Sequence, residues 1–157
     1  NFSALLDQLK IKQPAWKEFS NLEDAEEFAN KTGYPVLIRP SFVLSGSAMN
    51  ICNNNRDLEV YLKEATMVSD EYPVTVSKFF ENAKEVELDA IAQNGIMKAF
   101  IISEHIENAG VHSGDASIML PTKNINLINL TEMEQIAKKL ANSLSITGTF
   151  NSPVLLK

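Results

Sequence analysis

The stretch from residue 85 to residue 106 restricts the fold more than any other part of the chain. Apolar and acidic side chains alternate at its start, as in a β-strand with one buried and one solvated face; the apolar ones are Val86, Leu88 and Ala90, and the acidic ones are Glu85, Glu87 and Asp89. The dipeptide Asn94-Gly95 follows, which is typical of a two-residue hairpin turn. Residues 96–106, IMKAFIISEHI, then have the composition of a returning strand. The sequence therefore predicts an antiparallel β-hairpin.

The N-terminal part predicts two helices. Apolar residues at helical spacing indicate a helix over residues 2–10, in a region that Pro14 ends. A second helix is predicted to begin at Ser20 as N-cap, because Glu23 follows three residues later, and to stop near Gly33.

The rest of the chain alternates short strands with single helices. Residues 35–80 predict a β-loop-β-α-β arrangement, with strands at 34–40, 48–53 and 73–80 and a helix at 57–68. After the hairpin, the pattern predicts a short strand at 117–121, a helix from about Asn129 to Leu144 and a last strand beyond Thr147-Gly148. This order is typical of an α+β fold with hairpins and not of a repeating βαβ series.

Composition excludes some functions. The chain has 157 residues, the size of one domain or of a piece of a larger protein, and both ends read as cuts through something longer. A net charge of −6 argues against binding to nucleic acid or to an anionic membrane.

The single cysteine, Cys52, permits no disulfide framework and indicates a reducing compartment. Cys52 is expected to be a buried strand residue; a nucleophile is the alternative.

The first motif that could carry chemistry is IRPSFVLSGSAM, residues 38–49. Arg39 lies at the end of a predicted strand, which leads into a loop with three serines and Gly46. Backbone N–H groups in such a loop could surround phosphate oxygens, and the guanidinium would add charged donors. The alternative is an ordinary turn with Arg39 in a surface ion pair.

The second motif is the acidic strand face of Glu85, Glu87 and Asp89. Three carboxylates in a row repel one another unless a cation, the hydroxyl groups of a ligand or solvent lies among them. A solvated strand face is the alternative interpretation.

The third motif is EHIENAGVHSGD, residues 104–115, which contains both histidines. His105 and His112 are seven residues apart, a spacing unlike that of common zinc sites. Ser113 beside His112 lacks the surroundings of a nucleophile elbow. The loop could present N–H, hydroxyl and imidazole groups to an anion, or be a well-bonded loop without a ligand.

Together, the stretches YPVLIRPSFVLSGSAM, KFFENAKEVELDAIAQNG and ISEHIENAGVHSGD resemble the large chain of carbamoyl-phosphate synthetase. More narrowly, they resemble the ATP-grasp module of its second half, which phosphorylates carbamate. The resemblance extends from the N-terminus to about Phe150. It implies an α+β ATP-grasp fold with a helical entry segment (1–34), a β-α-β lid subdomain (35–80) and part of a large, mainly antiparallel subdomain (81–157). Nucleotide would lie in the cleft between lid and large subdomain.

The resemblance also implies roles for individual residues. Arg39 would hold the ATP phosphates and serve as the catalytic cation, with Gly46 in the loop above them. The other nucleotide contacts would be Ser77 and Phe80 at the adenine, Glu85 at the ribose, and His112 and Ser113 near the nucleotide. A monovalent cation would be bound by Glu85, His105 and Glu107.

One departure concerns magnesium. Where the family has a glutamine ligand in the final strand, this chain has Pro153, which has no side-chain oxygen. The Glu-x-Asn that the family carries after that strand is not found among the residues up to Lys157. We therefore expect that no Mg²⁺ ligands are present in this chain and that it does not complete the reaction alone.

The function implied is that of an ATP-dependent ligase, which converts carbamate and ATP to carbamoyl phosphate and ADP with Mg²⁺ (or Mn²⁺) and K⁺. Its partners would be the remaining synthetase domains and a glutamine amidotransferase subunit or domain, in the cytoplasm or mitochondrial matrix. Whether the product serves arginine, urea or pyrimidine synthesis stays open. The alternative is a non-catalytic ATP-grasp fragment that acts as a nucleotide-binding or interaction module.

Overall fold

The computed structural model describes residues 2–40, 49–68, 73–110 and 116–157, without the side chains of residues 65–68. The chain forms two compact units. The first comprises Asn1–Asp7 and Lys12–Glu81, and the second comprises Gln8–Ile11 and Asn82–Lys157. In the described part of the chain, no helix is long and apolar enough to cross a membrane.

The first unit is a four-stranded antiparallel sheet with helices. Its strands are β1 (Trp16–Phe19), β2 (Val36–Pro40), β3 (Asn50–Cys52) and β4 (Val74–Lys78), in the order β1-β4-β2-β3, and its helices are α1 (Phe2–Gln8), α2 (Leu22–Thr32) and α3 (Asn55–Val68). The predicted strands, and the helices on either side of β2, are thus confirmed.

Strand β1 was not predicted from the sequence. Its four residues, WKEF, include two charged side chains, so the segment is too short and too polar to show the alternation of a strand. It forms because its backbone pairs with β4, from Trp16 opposite Ser77 to Phe19 opposite Val74.

The predicted N-cap of α2 is wrong by one residue. Asn21, not Ser20, has the extended backbone of an N-cap, and its side chain accepts a hydrogen bond from the N–H of Asp24 at 2.9 Å. The predicted end is confirmed: Gly33 adopts φ 83°, and its N–H donates to the carbonyl of Ala29 at 2.8 Å. Glycine reaches this left-handed conformation without steric cost.

The core of the first unit lies between the sheet and its helices. It contains Val36 and Ile38 of β2, Val74 and Val76 of β4, Leu58 and Leu62 of α3, and Cys52. Burial raises the pKa of the Cys52 thiol to about 12. Since the thiolate is the reactive form, the expectation of a buried structural cysteine is confirmed.

The second unit is built on the predicted hairpin. Strands β5 (Lys84–Gln93) and β6 (Ile96–Asn108) pair antiparallel, flanked by β7 (Ile118–Met119) and β8 (Gly148–Leu156) in the order β7-β6-β5-β8. Asn94 and Gly95 have φ of 50° and 77°, as the predicted two-residue turn requires. A Cβ on Gly95 would lie 3.1 Å from the Cα of Asn142, so this glycine also permits close approach of the helix end.

One face of this sheet packs against α4 (Leu127–Ser143). Val86, Leu88 and Ala90 are buried together with Met133 and Ala137 of the helix. The predicted alternation along β5 is therefore confirmed. Helix α4 begins two residues before its predicted start, after Asn126, whose side chain accepts from the N–H of Asn129 at 2.8 Å.

The two faces of β5 should respond differently to truncation. Leu88→Ala removes a fully buried side chain and is expected to lower the free energy of unfolding by about 2–5 kcal/mol. Ile91→Ala, on the same strand with 52% of the residue exposed, should cost less than about 1 kcal/mol. Urea denaturation followed by circular dichroism measures both. Equal losses would contradict the assignment of faces.

Candidate functional site

The side of the second sheet that faces away from α4 carries most of its polar chemistry. Because paired residues of antiparallel strands share a face, the register places one set of side chains together. We call it the acidic face; it consists of Glu85, Glu87 and Asp89 of β5, Ser103 and His105 of β6, and Asn151 and Pro153 of β8.

His105 lies between two carboxylates. Its Nδ1 is 3.9 Å from Oε2 of Glu85, and its Nε2 is 3.4 Å from Oε1 of Glu87. The imidazole is 11% exposed, whereas the two carboxylate side chains are 24% and 29% exposed. One ligand atom from each of the three residues lies within 4.8 Å of the others. Such a group of oxygen and imidazole donors is dense enough to hold a cation.

Glu104 points to the opposite face and ties β6 to the segment before α4. Only 1% of Glu104 is exposed. Its carboxylate accepts hydrogen bonds from Nδ2 of Asn124 at 2.8 Å, from the Asn124 N–H at 3.1 Å and from the Lys123 N–H at 3.3 Å. The hydrogen bond from the Asn124 side chain lowers the pKa of Glu104, and these backbone hydrogen bonds and the nearby charge of Lys84 act in the same direction. Burial of the carboxylate opposes this shift.

Two more side chains, Lys84 and Glu107, make hydrogen bonds near His105. Nζ of Lys84 donates to the carbonyls of Ile106 at 2.9 Å and of His105 at 3.3 Å. Oε2 of Glu107 accepts from the N–H of Ser117 at 3.0 Å. The group that could hold a cation thus joins Glu87 to Glu85 and His105, while Glu107 contacts the segment that leads into β7.

Strand β8 forms the side of the acidic face next to β5. Nδ2 of Asn151 donates to Oδ1 of Asp89 at 2.9 Å, and Pro153 lies directly opposite Glu87. Proline is tolerated there because β8 is an edge strand of the described sheet. A magnesium ligand expected at position 153 would need an oxygen-bearing side chain. Pro153 has none, so the residue present does not fit that role.

The other predicted site residues belong to the first unit or lie outside the described residues. Arg39 is exposed on β2, and Ser77 and Phe80 are half-buried in and after β4. Gly46, His112 and Ser113 lie outside the described residues. Within the second unit, the structure brings together Glu85 and His105, two of the three residues that the resemblance assigns to a cation, and groups them with Glu87.

Sequence reasoning missed Ser103, Glu104 and Lys84. Glu104 had a detectable signal, because in β6 it shares the strand face of the apolar Ile102. Lys84 and Ser103 had none, since their roles depend on the pairing of β5 with β6.

Solved structures of low sequence identity define the fold as ATP-grasp. D-alanyl-alanine synthetase A from Vibrio cholerae superposes with a TM-score of 0.83 over 99% of this chain and 50% of that chain, at 14% identity. The N5-carboxyaminoimidazole synthetase of Staphylococcus aureus in complex with ADP gives a TM-score of 0.75 over 97% of this chain and 38% of that chain, at 18% identity.

Within that class, the chain belongs to the family described as carbamoyl-phosphate synthase L chain, ATP binding domain, whose model matches residues 1–157. It is 50% identical to the multifunctional protein pyrABCN of Emericella nidulans over 99% of this chain and 7% of that protein. It is 49% identical to the mitochondrial carbamoyl-phosphate synthase [ammonia] of Rattus norvegicus over 99% of this chain and 10% of that protein. The chain therefore spans about a tenth or less of the length of these two relatives.

Protonation of Glu104 should weaken the fold in acid. The pKa of Glu104 is lower in the folded than in the unfolded chain. Its stabilisation is therefore present above the usual glutamate pKa and is lost as the pH falls through the folded value. At pH 7, Glu104→Gln should lower the free energy of unfolding by about 1–2 kcal/mol.

The deficit of Glu104→Gln should shrink as the pH falls below the usual glutamate range. Glu132→Gln, at an exposed position of α4, is the matched control and should match wild type throughout. Urea denaturation from pH 7 to pH 3 provides the comparison. A deficit that stays constant with pH would contradict the assigned role of the carboxylate.

Proposed function

We propose that this chain is the ATP-binding part of a synthetase that phosphorylates carbamate with ATP and yields carbamoyl phosphate and ADP. The observation that carries the proposal is the family match over residues 1–157. Its support is the identity of 49–50% over 99% of the chain to proteins that include a carbamoyl-phosphate synthase. The ATP-grasp fold is consistent with it.

Physical chemistry supports the same reaction class. Phosphoryl transfer depends on positioning and on neutralisation of phosphate charge more than on a covalent nucleophile. The chain has a net charge of −6 and only two arginines, so it needs well-placed cations to hold a triphosphate. We assign Arg39 to the ATP phosphates, as the catalytic cation, with Gly46 in the loop above them.

The remaining nucleotide contacts are assigned by the resemblance. Ser77 and Phe80 meet the adenine, Glu85 the ribose, and His112 and Ser113 lie near the nucleotide. Ser77 and Phe80 follow one another closely at the end of β4, and their partial exposure is compatible with contact to a planar base.

Two kinds of metal ion belong to the proposal. A monovalent cation, K⁺, is assigned to Glu85, His105 and Glu107; the short distances from His105 to Glu85 and Glu87 support a cation in this part of the face. Mg²⁺ or Mn²⁺ would neutralise the phosphates. Because Pro153 offers no oxygen, we assign the divalent ion no ligand in this chain.

The proposed partners are carbamate, the remaining synthetase domains and a glutamine amidotransferase subunit or domain. The names of the relatives include a multifunctional protein, a mitochondrial ammonia-dependent enzyme and an arginine-specific large chain from Cutaneotrichosporon cutaneum. We accordingly place the chain in the cytoplasm or the mitochondrial matrix and leave the pathway open.

A second function has its own observation. Pro153 stands at the position that the resemblance assigns to a metal-binding glutamine, directly opposite Glu87. This favours a non-catalytic ATP-grasp module that binds nucleotide or another protein. The two functions are separated by an assay of a longer synthetase chain that contains these residues. Catalysis by that chain would favour the synthetase, and its absence would favour the non-catalytic module.

In the complete synthetase, Arg39→Ala should remove a charge-assisted contact to ATP phosphates worth about 1.5–3 kcal/mol. The expected result is a loss of roughly tenfold to a hundredfold in kcat/KM for ATP. Arg56→Ala, at an exposed position early in α3, is the matched control. Carbamoyl-phosphate formation at the wild-type rate in the Arg39 variant would exclude the assigned role.

The 157-residue chain itself should release ADP from Mg-ATP and excess carbamate far more slowly than a synthetase chain extended through the Glu-x-Asn strand. Without the metal ligands, the phosphate charge is opposed by little, so transfer should stall. Pro153→Gln alone should not restore it. Turnover of the short chain within about tenfold of the long one, a barrier difference of only ~1.4 kcal/mol, would show that the metal site is misplaced.

A further inference from the structure

The turn between β5 and β6 contains the only Asn-Gly dipeptide in the sequence, Asn94-Gly95. Asparagine before glycine is prone to spontaneous deamidation, because the backbone nitrogen of the glycine can attack the asparagine side chain and no Cβ shields that nitrogen. In this turn Asn94 is exposed, whereas Gly95 is buried. The reactive dipeptide therefore places its carboxamide at the surface and its nucleophilic nitrogen on a buried residue.

Both reacting groups are held by the segment that connects α4 to β8. The N–H of Gly95 donates to the carbonyl of Ile146 at 3.0 Å. The N–H of Asn94 donates to Oγ1 of Thr147 at 2.9 Å, and the same hydroxyl donates to Oδ1 of Asn94 at 3.4 Å. A Cβ on Gly95 would lie 3.1 Å from the Cα of Asn142, so the turn also packs closely against the helix end.

These contacts oppose deamidation while the turn is closed. To react, the Gly95 nitrogen must lose its proton, and the Asn94 side chain must rotate towards that nitrogen. The hydrogen bond to Ile146 stabilises the protonated amide, and the contacts with Thr147 restrain both the backbone and the side chain of Asn94. Reaction therefore requires a local opening that separates the turn from residues 146–147.

We propose that Asn94 is a modification site that is converted to aspartate or isoaspartate when the turn opens. In the open state, the Gly95 nitrogen bonds to Cγ of Asn94 and the bond from Cγ to Nδ2 breaks. Ammonia leaves with the proton that the backbone nitrogen has given up. One water molecule then opens the succinimide ring at either of its carbonyls, so the step needs no oxidant, reductant or enzyme.

The two products have different consequences for the sheet. Aspartate leaves the backbone unchanged and is a favoured residue in this type of turn. Isoaspartate routes the main chain through the former side chain and lengthens the turn by one atom, next to the closing pair of Gln93 and Ile96. Because the register decides which side chains of β5 and β6 share a face, isoaspartate should disturb the core and the acidic face together.

The test is the rate of deamidation at Asn94, measured by peptide mass mapping of the 157-residue chain in mildly alkaline buffer with and without urea. The native chain should react at least about tenfold more slowly than the urea-unfolded chain, which corresponds to ~1.4 kcal/mol of opening free energy. Thr147→Val should raise the native rate about fivefold, equivalent to the loss of ~1 kcal/mol.

Two control variants separate the Thr147 hydroxyl from a general effect of substitution. Thr147→Ser keeps the hydroxyl, and Thr149→Val makes the same exchange at an exposed position two residues further on. Both should react at the wild-type rate in the native state. In urea all the chains should share one rate, because the chemistry of the dipeptide itself is unchanged.

Each part of the inference has a result that would overturn it. Absence of deamidation at Asn94 in urea would exclude the site, and equal rates in the native and unfolded chains would exclude protection by the turn. Equal native rates for Thr147→Val and Thr149→Val would exclude the role of the hydroxyl.

The effect on the sheet is tested by hydrogen–deuterium exchange. Asn94→Asp should keep wild-type amide protection along β5 and β6, whereas the isolated isoaspartyl form should lose it. Equal protection in these two forms would contradict the predicted shift of register.

Discussion

The pairing of β5 with β6 across the Asn94-Gly95 turn is the interaction on which the second unit depends. A strand has two faces, and a shift of register by one residue exchanges them. The observed register sends Val86, Leu88 and Ala90 into the core with α4. The same register leaves Glu85 and Glu87 on the other side, beside His105. Core and candidate site are therefore consequences of one pairing.

The backbone around His105 is held by groups that do not belong to the acidic face. Glu104 is bonded to Lys123 and Asn124 on the opposite side of the sheet. Lys84 is bonded to the carbonyls of His105 and Ile106. Supporting contacts of this kind keep a binding group in its geometry before a ligand arrives, which reduces the cost of ordering it on binding.

Where local pattern decided the structure, the sequence predicted it well. The alternation in β5, the Asn94-Gly95 turn and the glycine that ends α2 all depend on neighbouring residues, and all are confirmed. Strand β1 was missed because its stability comes from pairing with β4, nearly sixty residues away along the chain. The cap of α2 was displaced by one residue because Ser20 and Asn21 are both good N-caps and only the backbone chooses between them.

The candidate site was predictable only in part. Glu85 and His105 were recognised by resemblance, and the structure places them in one group with Glu87. Ser103 could not be recognised from the sequence as a buried member of the acidic face, because its place there depends on its register with Glu87. Arg39, Ser77, Phe80 and Glu107 keep their roles as proposals, as do Gly46, His112 and Ser113.

The central proposal is that this chain binds ATP at the residues that the resemblance assigns. Its most direct test is a residue-resolved NMR titration of the isotopically labelled chain with ATP, carried to millimolar nucleotide because weak binding is expected. The account predicts amide shifts at Arg39, at Ser77 to Phe80 and at Glu85, with the end of α4 near Asn142 unchanged. Shifts confined to the α4 side of the second sheet, or none at all, would contradict it.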